Sequence, residues 1–136
     1  MVKISLVRQS NLDLKLSGHA SGLVAVFVGA TSGIGLGTLK QYAKYAQGSK
    51  AYIIGRSKSA VQPFLERLQE SNPTGAFEFI QTEISLIKNV DLACEEIKAK
   101  EKKIDILFMS PGFLSYGDRI GLSNKSSCIE ALLIIT

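Results

Sequence analysis

The stretch Gly29-Ala30-Thr31-Ser32-Gly33-Ile34-Gly35 is the part of the 136-residue sequence best suited to chemistry. Gly29 permits a tight exit from a preceding strand. Gly33 and Gly35 let backbone approach a ligand and let a helix pack closely on a sheet. A helix starting near Gly33 points its free N–H groups, and the positive end of its dipole, at this loop. A diphosphate is the natural occupant of such a place. The spacing is G-x3-G-x-G, not G-x-G-x-x-G, and no Gly-Lys-Ser/Thr follows to make a P-loop. The competing reading is a glycine loop kept for tight packing alone.

The flanking elements weigh against that alternative. Leu23–Val28 is a continuous apolar run between Gly22 and Gly29, as expected of a strand buried on both faces of a parallel sheet. Leu39, Tyr42, Ala43 and Ala46 follow at helical spacing, and Gly48 is the stop. Ala51–Ile54 is a second strand, and Val61, Phe64, Leu65 and Leu68 mark one face of a second helix. Pro63 suits that helix only in its first turn. Phe77–Gln81 is a third strand, opened by turn residues 72–75. A helix carrying Val90, Ala93, Cys94 and Ile97 comes next, with Glu96 and Lys100 paired on its outer side, and then a fourth strand, Ile104–Met109. This alternation predicts an α/β fold, a partial Rossmann (doubly wound) parallel sheet of about four strands with flanking helices. The glycine loop falls inside the first βαβ unit, where a nucleotide-binding loop belongs.

Composition narrows the classes. A hydrophobic fraction of 46% and a charged fraction of 21% are those of a globular chain. Residues 1–60 hold eight Lys/Arg and one acid, Asp13, for +7; the remainder carries −3, which together give the net +4. A basic front half suggests an anionic partner. Its cations are dispersed and not interleaved with aromatics, so nucleic acid is the least favoured partner. Cys94 and Cys128 with the lone His19 make no metal cluster, and Cys94 reads as a buried thiol. No signal-peptide core and no run of about 18 apolar residues is present, so no membrane partner is expected and a cytoplasmic location is.

Four segments in order resemble the short-chain dehydrogenase/reductase family: the glycine loop, Gly55-Arg56-Ser57 after the second strand, Thr82-Glu83-Ile84-Ser85 after the third, and Ile104–Gly112. Where the family has an Asp-x-Ser-like segment near the adenine, this chain has Glu83. Where it has Asn-Asn-Ala-Gly, this chain has Met109-Ser110-Pro111-Gly112. The wording GATSGIG with ILFMSPG is similar to a divergent branch of fungal secondary-metabolite reductases. The resemblance implies a nicotinamide dinucleotide held by Gly29, Thr31, Ser32, Gly33, Ile34, Gly35, Arg56, Ser57, Glu83, Ile84, Ser110, Pro111 and Gly112. It divides the chain into a leading arm (1–21), which carries no clean period, an NAD(P)-binding half-domain (22–118) and a divergent tail (119–136).

The choice of nucleotide follows from charge. An NAD site places a carboxylate about 20 residues past the glycine loop, whereas an NADP site offers arginine to the 2′-phosphate. From Leu36 through Gln62 there is no Asp or Glu, and Arg56 and Lys58 occupy the critical turn. NADP(H) is therefore expected to bind more tightly than NAD(H), with a solvated surface arginine as the alternative reading of Arg56.

Catalytic residues are another matter. The family's reaction uses a Tyr-x3-Lys pair, and none of Tyr42, Tyr45, Tyr52 and Tyr116 has lysine four residues later. Ser110 and Ser115 lie beside glycine or proline and read as turn formers. The site set contains no catalytic residue and no metal ligand, and a complete fold of this kind takes about 200 residues. The expectation is an oxidoreductase-like chain that binds its nucleotide and turns over weakly, if at all. The alternative is a non-catalytic nucleotide-binding module that docks on a full-length relative or on itself. An open edge on the fourth strand, with the tail Ala131–Ile135 available to cover it, would serve that docking.

Overall fold

The computed structural model describes residues 2–18 and 20–112. Eight elements follow one another: α1 (Ile4–Ser17), β1 (Val24–Val28), α2 (Gly33–Tyr45), β2 (Lys50–Gly55), α3 (Lys58–Ser71), β3 (Ala76–Gln81), α4 (Ile87–Lys100) and β4 (Ile106–Met109). All strand pairings are parallel, in the order β3-β2-β1-β4. The predicted partial Rossmann fold is the fold observed.

The run VAVFV becomes the centre of the sheet because a parallel strand there must be apolar on both faces. Successive side chains point to opposite sides, so β1 feeds two cores. Val24, Val26 and Val28 join Tyr52, Ile54 and Ile80 beneath Val90, Ala93 and Ile97 of α4. Ala25 and Phe27 join Ala51 and Ile53 beneath Leu39 and Ala43 of α2 and Leu68 of α3. The helical spacings read from the sequence are the faces that pack. Cys94 is part-buried at the rim of the α4 core, where burial pushes its thiol above the usual range. The Glu96–Lys100 pair forms at 2.9 Å.

Polar side chains fasten the strand ends that lie away from the glycine loop. Asp105 accepts the Val24 N–H at 2.9 Å and an ammonium bond from Lys103 at 2.7 Å, locking the start of β4 to β1. Glu101 receives Lys50 at 2.6 Å and the Tyr52 hydroxyl at 2.7 Å. Burial, then the Glu101 bond, pushes the Tyr52 phenol up to about 12. Asn72 is fully buried where α2 and α3 end: it donates to the Ala46 carbonyl at 3.0 Å and accepts the Thr74 hydroxyl at 3.1 Å.

One segment gains structure that the sequence left open, and one expectation needs correction. Residues 4–17 of the leading arm form a helix, closed by Gly18 at φ 69°. Its apolar residues Ile4, Leu6, Val7, Leu12 and Leu16 remain exposed, which is why no clean period marks it. Pro63 is the sixth residue of α3, in its second turn and not its first. Ser57 starts the helix early by accepting the Ala60 N–H, and Pro63 sits on the exposed face, where water can serve the Ser59 carbonyl that loses its partner. His19, Ser115, Tyr116, Cys128 and the tail Ala131–Ile135 lie outside the described residues.

Candidate nucleotide site

Parallel pairing brings the C-terminal ends of all four strands to one edge of the sheet. The connections from β1 run outward to β2 and β3, and the chain then returns to the other side of β1 to lay down β4. This reversal beside β1 is a topological switch point, the usual ligand crevice of an open α/β sheet. The loops after β1, β2, β3 and β4 surround it, and they carry the residues predicted for the site.

The glycines after β1 have three separate jobs. Gly29 adopts φ 76°, and a Cβ there would lie 2.7 Å from the Ser110 carbonyl oxygen and 2.8 Å from Pro111 N. Only glycine lets the loops leaving β1 and β4 pass so closely; Ser110 N–H donates to Val28 O at 2.9 Å in the same place. Gly35 seats the first turn of α2 against the strand exit, where a Cβ would meet Gly29 O at 2.6 Å. Gly33 differs: it takes φ 54°, and a Cβ there would have nothing among the described residues within 4 Å. Gly29 and Gly35 serve packing, whereas Gly33 faces open space.

That space lies at the start of α2, whose first turn contains no acid and whose N-cap, Ser32, makes no side-chain capping bond. The first-turn N–H groups are therefore left to whatever occupies the crevice. Ile34 is 79% exposed, and Thr31 is half-buried against Gly55, where a Cβ would meet the Thr31 methyl at 2.8 Å. The close fit there brings the β1 and β2 loops together. The cradle, its bare N–H groups and its lack of acid fit a diphosphate group.

Arg56 leaves the end of β2 with its side chain 78% exposed, and its guanidinium lies 3.9 Å from the Glu83 carboxylate on the loop after β3. Each partner is fastened by its main chain. Gln81 Nε2 donates to Arg56 O at 3.0 Å, and Asn89 Nδ2 donates to Glu83 O at 3.0 Å. Gln81 and Asn89 were absent from the predicted set; the place of Gln81 at the end of the third predicted strand was the sequence pointer to the first. Two predicted residues also serve the fold. Ser57 caps α3, and Ile84 packs on the α4 core. Ser110 and Pro111 pass against Gly29 where the chain leaves β4, half-buried, and Gly112 lies exposed beyond them.

The glycine cradle at the switch point agrees with comparison to known proteins. A model of the short chain dehydrogenase family matches residues 23–132. The chain belongs to the short-chain dehydrogenase family. Among curated relatives, it is 47% identical over 119 residues to "Oxidoreductase AN1596" of Emericella nidulans, covering 88% of this chain and 35% of that protein. It is 43% identical over 122 residues to the "NmrA-like family domain-containing oxidoreductase notO" of an Aspergillus species, covering 88% of this chain and 36% of that protein. Both relatives are fungal, and this short-chain dehydrogenase chain spans about a third of their length. Among solved structures, L-sorbose reductase of Gluconobacter frateurii, complexed with NADPH and L-sorbose, superposes with a TM-score of 0.65 at 23% identity. That match covers 77% of this chain and 39% of the reductase, and shows the shared fold. No helix among the described residues is long and apolar enough to cross a membrane.

Proposed function

We propose that these 136 residues are the nucleotide-binding part of a short-chain dehydrogenase oxidoreductase, and that they take NADP(H) in preference to NAD(H). The supporting observation is the exposed Arg56 guanidinium at the end of β2, beside a glycine cradle, in a segment without acid from Leu36 through Gln62. Arginine grips a phosphate through a planar fork of donors, and only NADP(H) carries a phosphate on the adenosine ribose. The first-turn N–H groups of α2, with Gly33 leaving room for them to be approached, hold the diphosphate. Thr31 and Ser32 add hydroxyl donors at the same loop. The loop after β3, with Glu83 and Ile84, borders the adenine side, and Ser110, Pro111 and Gly112 border the nicotinamide side.

When bound, the nicotinamide supplies or accepts the hydride. The residues at hand hold the nucleotide but include no Tyr-x3-Lys acid/base pair. A positioned acid/base typically contributes about 10²–10⁴ in rate, so the chain alone turns over weakly. Thermal-shift titration with each nucleotide tests the reading. At about 100 times its dissociation constant a ligand adds about 2.7 kcal/mol of stability. NADP+ should saturate at the lower concentration, and Arg56→Asp should remove that advantage. Equal affinity for NADP+ and NAD+ refutes the preference, and no shift with either removes nucleotide binding altogether.

The outer flank of the sheet favours a second reading, docking on a full-length relative or a second copy. β4 pairs only with β1 among the described residues, and its residues Ile106 and Leu107, with Ile104 just before it, are exposed. Light scattering across a concentration series tests it: a monomer at all concentrations rules out self-association.

A further inference from the structure

Of the five ion pairs among the described residues, four lie on α4 or near the strand starts. The fifth, Arg56–Glu83, spans the loops that leave β2 and β3, at the nucleotide crevice. We propose that Glu83 is a specificity-determining counter-ion: it holds the Arg56 guanidinium until a 2′-phosphate displaces it, and so restrains the preference for NADP(H). This inference rests on the nucleotide site proposed above.

The two side chains are held unequally. The Glu83 carboxylate is braced by its own loop, since its Oε1 accepts the Ser85 N–H at 3.3 Å. Its other oxygen, Oε2, is the one that faces Arg56. Among the described residues the guanidinium has no such brace, and its side chain is 78% exposed against 42% for that of Glu83. Glu83 therefore stays in place while Arg56 turns. At 3.9 Å the contact is an ion pair and not the 2.7–2.9 Å charge-assisted bond of a closed fork. An incoming phosphate can displace it.

The cost falls on one nucleotide only. A 2′-phosphate needs the donor fork that Glu83 engages, and it meets the Glu83 charge as well. A ribose carrying only a hydroxyl needs neither and leaves the pair intact. Exposed ion pairs are worth little, and their usual range translates to a change of up to about fivefold in affinity. Salt screens the pair, so the effect is largest in dilute buffer.

The test measures dissociation constants for NADP+ and NAD+ by calorimetry at low ionic strength, in the wild type, Glu83→Gln, Arg56→Gln and the double variant. Glutamine retains the oxygen that accepts the Ser85 N–H and removes the charge; Glu83→Ala is the second variant should Glu83→Gln fail to fold. Glu83→Gln is expected to raise the affinity for NADP+ relative to that for NAD+, by up to about fivefold. In the Arg56→Gln background the same change should tighten NADP+ clearly less, because only the direct repulsion between carboxylate and phosphate remains to be relieved. Parallel shifts for both nucleotides, no shift for either, or an equal effect in both Arg56 backgrounds would overturn the inference. Wild-type protein that binds neither nucleotide defeats the underlying site instead.

Discussion

Three glycines of one loop separate two physical costs that a glycine can relieve. Gly33 has a positive φ but open surroundings, Gly35 has crowded surroundings in an ordinary helical turn, and Gly29 has both. Alanine at Gly33 meets only the left-handed backbone cost, about 1–2 kcal/mol. Alanine at Gly35 forces a carbon to within 2.6 Å of Gly29 O. Backbone there cannot swing aside as a side chain does, and overpacking of this kind costs about 1–3 kcal/mol. The better helix propensity of alanine offsets up to about 1 kcal/mol of it. Gly29→Ala carries the backbone strain together with contacts of 2.7 and 2.8 Å to Ser110 and Pro111. It should therefore cost about 2–5 kcal/mol, a large share of the stability of a small domain. Urea unfolding followed by circular dichroism measures all three, with the slope checked for two-state behaviour. A Gly29→Ala variant no less stable than Gly33→Ala would refute the steric reasoning. Nucleotide affinity should rank differently: Gly33→Ala, mild in stability, places its methyl group in the space assigned to the diphosphate and weakens binding most for its stability cost.

Other consequences can be checked more briefly. Asn72→Ala strands the buried Ala46 carbonyl and should cost about 1–3 kcal/mol, read from the urea midpoint. Pro63→Ala restores a helix bond to the Ser59 carbonyl on an exposed face and should raise the melting temperature, by about 1–3 kcal/mol in stability. The Asp105 carboxyl is held below its ordinary value by Lys103 and then by the Val24 N–H. A lowered folded-state value means that its contribution is complete above the unfolded value of about 3.9 and is lost as pH falls through the folded one. Asp105→Asn should therefore lower stability at neutral pH and flatten the stability profile below about pH 4 in acid titration.

Element order was legible because a two-faced parallel sheet imposes one pattern: an unbroken apolar strand, then a helix with a single buried face. LVAVFV and the spacing of Val90, Ala93 and Ile97 state it directly. The first helix was not legible, since its apolar residues point mainly to solvent and no burial enforces a period. Pro63 misled because a serine three residues before Ala60 set the helix start, a local bond that outranks the apolar pattern. Within the site, Gly29, Gly33 and Arg56 could be read from residue type and position. Their division of labour could not, because it depends on contacts between distant segments: Gly29 against Ser110, and Arg56 against Glu83.

The strand order also sets a timetable. β1 meets β2 through pairs such as Val24 with Lys50, but its other flank waits for Ala25 to meet Ile106. Loop-closure entropy itself grows slowly, by about 0.6 kcal/mol for each doubling of length. The larger delay is ribosomal. At about 5–20 residues per second, roughly 3–10 seconds pass between synthesis of β2 and arrival of β4. Through that interval β1, apolar at every position, has one unpaired row of N–H and C=O groups, the kind of edge on which nascent chains aggregate or recruit chaperones. The central strand, first of the four strands to be made, is the last to be enclosed.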